Sequence, residues 1–151
     1  MHRPVSDVLR NGGVVVYIAP HATVYEAIER MAFHNVGSIL VLKNNRELVG
    51  IFTERDLLRR VVLKGLDART TPISEVMTRD VIVVSSDTPR YEVERIMREQ
   101  HIRHIPVADE ERLLGVVSLR DILRVENEER KFEIDKLKEY VMEKPYPTYP
   151  G

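Results

Sequence analysis

The sequence predicts an α/β (α+β) protein: one βαββα unit written twice, followed by an extended C-terminal helix. Three observations carry this. Gly50-Ile51-Phe52-Thr53-Glu54-Arg55-Asp56 and Gly115-Val116-Val117-Ser118-Leu119-Arg120-Asp121 share one pattern, 65 positions apart. It reads glycine, two large apolar residues, a hydroxyl residue, any residue, arginine, aspartate. Around each copy, strand-like apolar runs and helix-period apolar stripes follow in the same order. The offset between copies is 68 at the lead-in, 66 at the first helix and 65 at the glycines, so length changes fall in turns. The units are placed at 1–66 and 67–124, with a helical extension and Pro/Tyr tail at 125–151.

Taken in order, Val5 to Leu9 reads as a short lead-in helix ended by Gly12-Gly13. Val14 to Ile18 reads as a strand stopped by Pro20. Thr23 and Glu26 have capping-box spacing, and Val24, Ala27, Ile28 and Met31 form the apolar stripe of the helix they open. Ser38 to Leu42 and Leu48 to Phe52 form a hairpin about Asn44-Asn45, with Gly50 read as a turn glycine. Thr53 starts a closing helix with Leu57, Leu58, Val61 and Val62 inward. Lys64 to Pro72 reads as a linker.

The order then repeats. Ile73 to Met77 is the second lead-in and Val81 to Val84 the second first strand. Thr88-Pro89 supplies N-cap and N1 of the next helix. His101 to Val107 answers Asn35 to Val41. The second closing helix has no early stop. Its later apolar residues, Phe132, Ile134, Leu137, Tyr140 and Val141, need a surface to cover them, and the tail after Pro145 should be extended.

Composition narrows the function. With 43% hydrophobic and 31% charged residues in 151, the chain can bury a core. A formal charge of −1 gives no basic surplus for nucleic acid. The absence of cysteine excludes disulfides, thiol chemistry and cysteine zinc sites, and His101 with His104 has no further ligand cluster. The longest apolar run, Val14 to Ala19, is too short to span a membrane, and the N-terminus lacks a signal-peptide core, so a cytoplasmic location is expected. No nucleophile–base pair or paired catalytic carboxylates appear, so no enzyme is expected.

The paired signature has two readings. Thr53 with Asp56 and Ser118 with Asp121 have N-cap-to-N3 spacing, so helix capping explains either copy alone. The same geometry suits a nucleotide. A helix start offers free N–H groups, a carboxylate can accept both ribose hydroxyls, and the hydroxyl residue and a nearby arginine can reach phosphate.

With this signature twice, each behind its own hairpin, the chain resembles the cystathionine β-synthase (CBS) domain, and the tandem resembles a CBS pair, or Bateman module, over about residues 5–63 and 73–124. The resemblance implies repeats packed sheet to sheet about a pseudo-two-fold axis, with two clefts that each mix the repeats. Thr53, Arg55 and Asp56 would join Ile82, Ile102, Arg103 and His104. Ser118, Arg120 and Asp121 would join Val16, Val36 and Gly37. Backbone near Ile102 or Val36 would read an adenine edge, the aspartates would take ribose, and Thr53 and Ser118 would lie near ribose or α-phosphate. The implied ligand is AMP, ADP or ATP, with S-adenosylmethionine as the alternative. Arg103 and His104, opposite Gly37 and Ser38, should make the first cleft the more cationic. The implied role is a stand-alone sensor, homodimeric, acting on an effector protein. A ligand-free dimerisation scaffold competes with it. Apolar residues of both repeats should share one continuous core, and Asp56→Asn should weaken binding while barely moving the melting temperature.

Overall fold

Each repeat is closed by a piece of the other. The computed structural model describes residues 3–9 and 14–141. The glycine stop at Gly12-Gly13, the side chains of Tyr140 and Val141 and the tail beyond Val141 lie outside what it describes. A 3₁₀ turn, Val5–Val8, leads in; β1 is Tyr17–Ile18, α1 Val24–His34, β2 Ser38–Lys43 and β3 Glu47–Thr53. Helix α2, Glu54–Asp56, continues as a π-helical stretch, Leu57–Val62. After a second 3₁₀ turn, Ile73–Glu75, come α3, Arg90–Gln100, β4, His104–Asp109, β5, Arg112–Ser118, and α4, Leu119–Val141.

Strand β1 runs parallel to β2, which pairs antiparallel with β3; β4 and β5 form the second, antiparallel pair. Asn44 and Asn45 both take positive φ, as the tight turn between β2 and β3 requires. Thr23 accepts the Glu26 amide and Asn35 ends α1 in the left-handed region; His101 ends α3 the same way.

The lead-in turns are exchanged. Val5 and Val8 sit in the second repeat's core with Val93, Ile105, Val107, Val117 and Ile122. Ile73, Val76 and Met77 sit in the first repeat's core with Val24, Ala27, Ile39 and Phe52. The backbone bonds are reciprocal: Val5 N–H donates to Thr88 O at 2.8 Å, and Ile73 N–H to Ala22 O at 2.7 Å. Arg90 N–H donates to Arg3 O, and Val24 N–H to Thr71 O. These equivalent bonds in both directions express the pseudo-two-fold relation. A third cluster joins the sheets, with Leu40, Leu42 and Ile51 against Val81, Leu113 and Val116. The single continuous core expected from sequence is therefore three clusters, each drawing on both repeats. Full burial of an aliphatic side chain contributes about 1.5–3 kcal/mol, so a repeat stripped of its borrowed turn loses several kcal/mol.

Five local expectations are corrected. Gly50 and Gly115 lie inside strands, at the bulges opposite Val41 and Val107. A Cβ on Gly50 would collide with Met77 Sδ, so this glycine admits the other repeat's lead-in. The strand at Val81–Val84 shrinks to one bridge, Val84 with Val107. In the first repeat Leu40 N–H donates to Val16 O at 3.0 Å; Pro106 stands at the corresponding place and has no N–H to give Ile82. Pro89, matching Thr23, is the N-cap of α3, and the Thr88 hydroxyl is instead 2.9 Å from that of Ser85. In the closing helix Val61 is buried and Leu57 packs on the core, but Leu58 and Val62 are 59% and 61% exposed, because the π-helical winding turns them away. The expected linker is ordered against α1: Ala68 O accepts the Tyr25 amide, and Arg69 lies 4.1 Å over the Tyr25 ring.

Candidate functional site

The two signatures open into one cleft. Thr53 sits at the end of β3 and caps α2; its Oγ accepts the Asp56 amide at 3.2 Å while Asp56 accepts the Thr53 amide at 3.1 Å, a reciprocal box. In the second repeat Ser118 Oγ accepts the Asp121 amide at 3.0 Å. Hairpin pairing sets Ser38 beside Thr53 and His104 beside Ser118. Glu54 N–H donates to Gly37 O and Leu119 N–H to Arg103 O, so each helix start is tied to the strand entry of its own hairpin.

The cleft holds about 1120 Å³, within the range of a site for one nucleotide-sized ligand or two. Of the residues singled out from sequence, Thr53, Arg55, Asp56, Ile102, Arg103, His104, Val16, Val36, Gly37, Ser118, Arg120 and Asp121 line it; Ile82 does not. Two separate clefts were expected, and the structure joins them. Gly37 stands close to both helix start and second repeat: a Cβ there would lie 2.5 Å from Glu54 Oε1 and 3.2 Å from His104 Nε2. The first repeat's strand entry thus meets the second repeat's histidine at the waist of the cleft.

Electrostatically the cleft is mixed. Arg55, Arg103, Arg120, Arg124 and Arg130 face it, with Glu54, Asp56 and Asp121 as carboxylates and His34 and His101 beside His104. Arg55 spans the repeats by donating to His101 O at 3.1 Å. The side chains of Arg103 and Arg120 make no hydrogen bond or ion pair with the described residues. Burial lowers the His104 pKa below the usual histidine value; Glu54 and Asp121 pull it up, and Arg103 and Arg55 push it down. Arg103 was expected to make its side of the cleft the more cationic; α4 adds Arg120, Arg124 and Arg130 to the lining, and Glu54 stands near His104.

Asp56 is more engaged than the signature showed. It is 9% exposed, and Thr78 Oγ1 lies 3.4 Å from both its oxygens while Arg60 Nε is 3.5 Å away. Arg60 also donates to Met77 O at 2.9 Å. Asp56 therefore anchors the exchanged lead-in as well as capping α2, and its replacement costs stability that the sequence did not foretell.

Sequence reasoning missed Glu54, Thr78, Arg124, Asn127 and Arg130. The last three had a signal, since Arg120, Arg124, Asn127 and Arg130 fall at i, i+4, i+7 and i+10 on one helix face. Among the described residues no group of three or more His, Asp or Glu side chains is placed to hold a metal ion. No helix there is long and apolar enough to cross a membrane.

Two exchanged repeats with a shared cleft are the arrangement of a CBS pair, and the CBS-domain family model matches residues 5–63 and 73–128. The chain belongs to the CBS-domain family, whose pairs are generally regulatory ligand-binding modules. It is 32% identical over 146 residues to the mitochondrial CBS domain-containing protein CBSX3 of Arabidopsis thaliana, covering 91% of this chain and 71% of that protein. Among solved structures, the CBS domain NE2398 superposes with a TM-score of 0.76 at 34% identity, over 82% of this chain and 97% of that one. The hexameric CBS-CP12 protein from bloom-forming cyanobacteria has a TM-score of 0.74 at 29% identity, over 82% and 71%.

Proposed function

We propose that this chain is a regulatory module that binds an adenosine ligand, AMP, ADP or ATP, in the cleft between its repeats and passes the binding event to an effector protein. One observation carries the reading: both hydroxyl-x-x-Asp helix starts open into a single cleft whose walls also present the side chains of Arg103 and Arg120, unpaired among the described residues. Val36 and Ile102 offer backbone and aliphatic surface for a base, Asp56 and Asp121 acceptors for ribose, and the arginines a place for phosphate. The cationic walls favour phosphate over the sulfonium of S-adenosylmethionine. In this reading the module binds its ligand and does not transform it. A ligand joining both repeats can bias their relative orientation, which is how the signal would leave the module. Self-association is part of this reading, supported by the exposed apolar residues of α4 and the hexameric CBS-CP12 neighbour.

Calorimetry with adenosine, AMP, ATP and S-adenosylmethionine tests it. The expected order is ATP and AMP above adenosine, with Arg103→Ala reducing ATP affinity more than adenosine affinity. If none of the four binds or raises the melting temperature at millimolar concentration, the cleft is not an adenosine site and the scaffold reading stands.

A further inference from the structure

The extension of α4 carries a pattern that its charges alone do not explain. Leu123, Asn127, Arg130, Ile134, Leu137 and Val141 follow one another at alternating spacings of four and three residues. That is a heptad seam along about 27 Å of helix. Asn127, Ile134 and Val141 fall at position a; Leu123, Arg130 and Leu137 at position d. Leu123, Asn127 and Arg130 line the cleft, whereas Ile134 and Leu137 are 50% and 64% exposed, so the described residues leave the stripe uncovered beyond Arg130. The side of α4 held by the body is different: Val125 packs in the second repeat's core, and Glu129 pairs with Arg90 at 3.0 Å and with Arg3 at 2.6 Å. Phe132, expected from sequence to share the contact surface, lies off the seam under Lys136.

We infer that α4 pairs in parallel and in register with α4 of a second copy of this chain. The residue types choose both number and direction. β-Branched Ile134 at a with Leu137 at d favours two parallel strands. The flanks choose likewise. Glu133 is at g and Lys138 at e, so parallel pairing sets Glu133 of each copy against Lys138 of the other, five residues on. Antiparallel pairing would oppose glutamate to glutamate and lysine to lysine. Glu126, the preceding g residue, faces Glu94 of α3, whose pKa is raised by burial first and then by Glu126. The charged flank therefore acts beyond the body, from Lys131 onward. The inference rests on the self-association in the proposed function and specifies its surface.

The chain has no cysteine, so single substitutions report geometry directly. Under mild oxidation Ile134→Cys and Leu137→Cys should each give a disulfide-linked dimer, since a and d residues face their own copies in a parallel pair, while Phe132→Cys should not. An antiparallel pair links at no more than one of the first two positions, and that result overturns the inference. By sedimentation, Leu137→Asp should weaken the dimer at least tenfold with unchanged circular dichroism. Glu133→Lys should weaken it too, and Glu133→Lys with Lys138→Glu should restore it; failure of that rescue overturns the assigned direction. A wild-type monomer at crystallisation concentration overturns self-association altogether. A dimer indifferent to Leu137→Asp overturns only the helix pairing.

Discussion

Replacing Asp56 by asparagine separates two jobs that one carboxylate does in this fold. The side chain is 9% exposed, accepts the Thr53 amide at 3.1 Å, and has Thr78 Oγ1 and Arg60 Nε at 3.4 and 3.5 Å. Asparagine keeps one acceptor oxygen and loses the charge. Loss of the charged cap and of its interaction with the helix start costs about 1 kcal/mol. The Arg60 pair, half exposed on the arginine side, adds about 0.3–0.5 kcal/mol after screening. The unliganded protein should therefore lose about 1–2 kcal/mol, or roughly 2–8 °C at this chain length. If Asp56 also holds ribose, affinity for AMP should fall by about 1.5–3 kcal/mol, roughly ten- to a hundredfold or more. Thermal melting reads the first effect, and calorimetry well below the variant's melting temperature reads the second. A lowered melting temperature with unchanged AMP affinity refutes the ribose role and leaves a structural aspartate. An unchanged melting temperature refutes the reading of the Thr53–Asp56–Thr78–Arg60 contacts.

Two further outcomes follow from the same geometry. Pro106→Leu supplies the missing N–H opposite Ile82, so the 106 amide should become protected from hydrogen exchange; stability should move by less than about 1 kcal/mol, because the new bond is offset by a freer unfolded chain. An unprotected 106 amide would sink this account of the lost strand. His104 is held below its usual value of about 6.5 by burial, with Glu54 and Asp121 opposing and Arg103 and Arg55 adding to the shift. The unfolded imidazole thus takes up its proton at higher pH than the folded one, so stability should be full above about pH 6.5 and fall as pH drops towards the folded value. Urea titrations between pH 7.5 and 5 should show that slope in the wild type and a shallower one in His104→Gln; equal slopes would put the proton elsewhere.

What the sequence disclosed divides by the range of the interactions. Capping at Thr23, Thr53 and Ser118 is written within three residues, and all three hydroxyls accept the expected amides. The first hairpin was equally readable, since Asn44-Asn45 and the flanking apolar runs act locally. Gly50 was visible but misread, because the atom that requires it, Met77 Sδ, is twenty-seven residues away in the exchanged lead-in. Pro106 erases a partner strand's hydrogen bond rather than one of its own, so its effect shows only when Leu40 is seen donating in the other repeat. Glu54 looked like the free residue of the signature, yet Gly37 and His104 place it at the waist of the cleft. Such long-range contacts are also what make the two repeats unequal. A duplicated sequence yields two like helix starts, but one strand entry carries glycine and serine where the other carries arginine and histidine. A ligand that bridges the waist would meet different chemistry on each side. This gives the cleft a direction, and a directed cleft can favour one relative tilt of the repeats over its mirror.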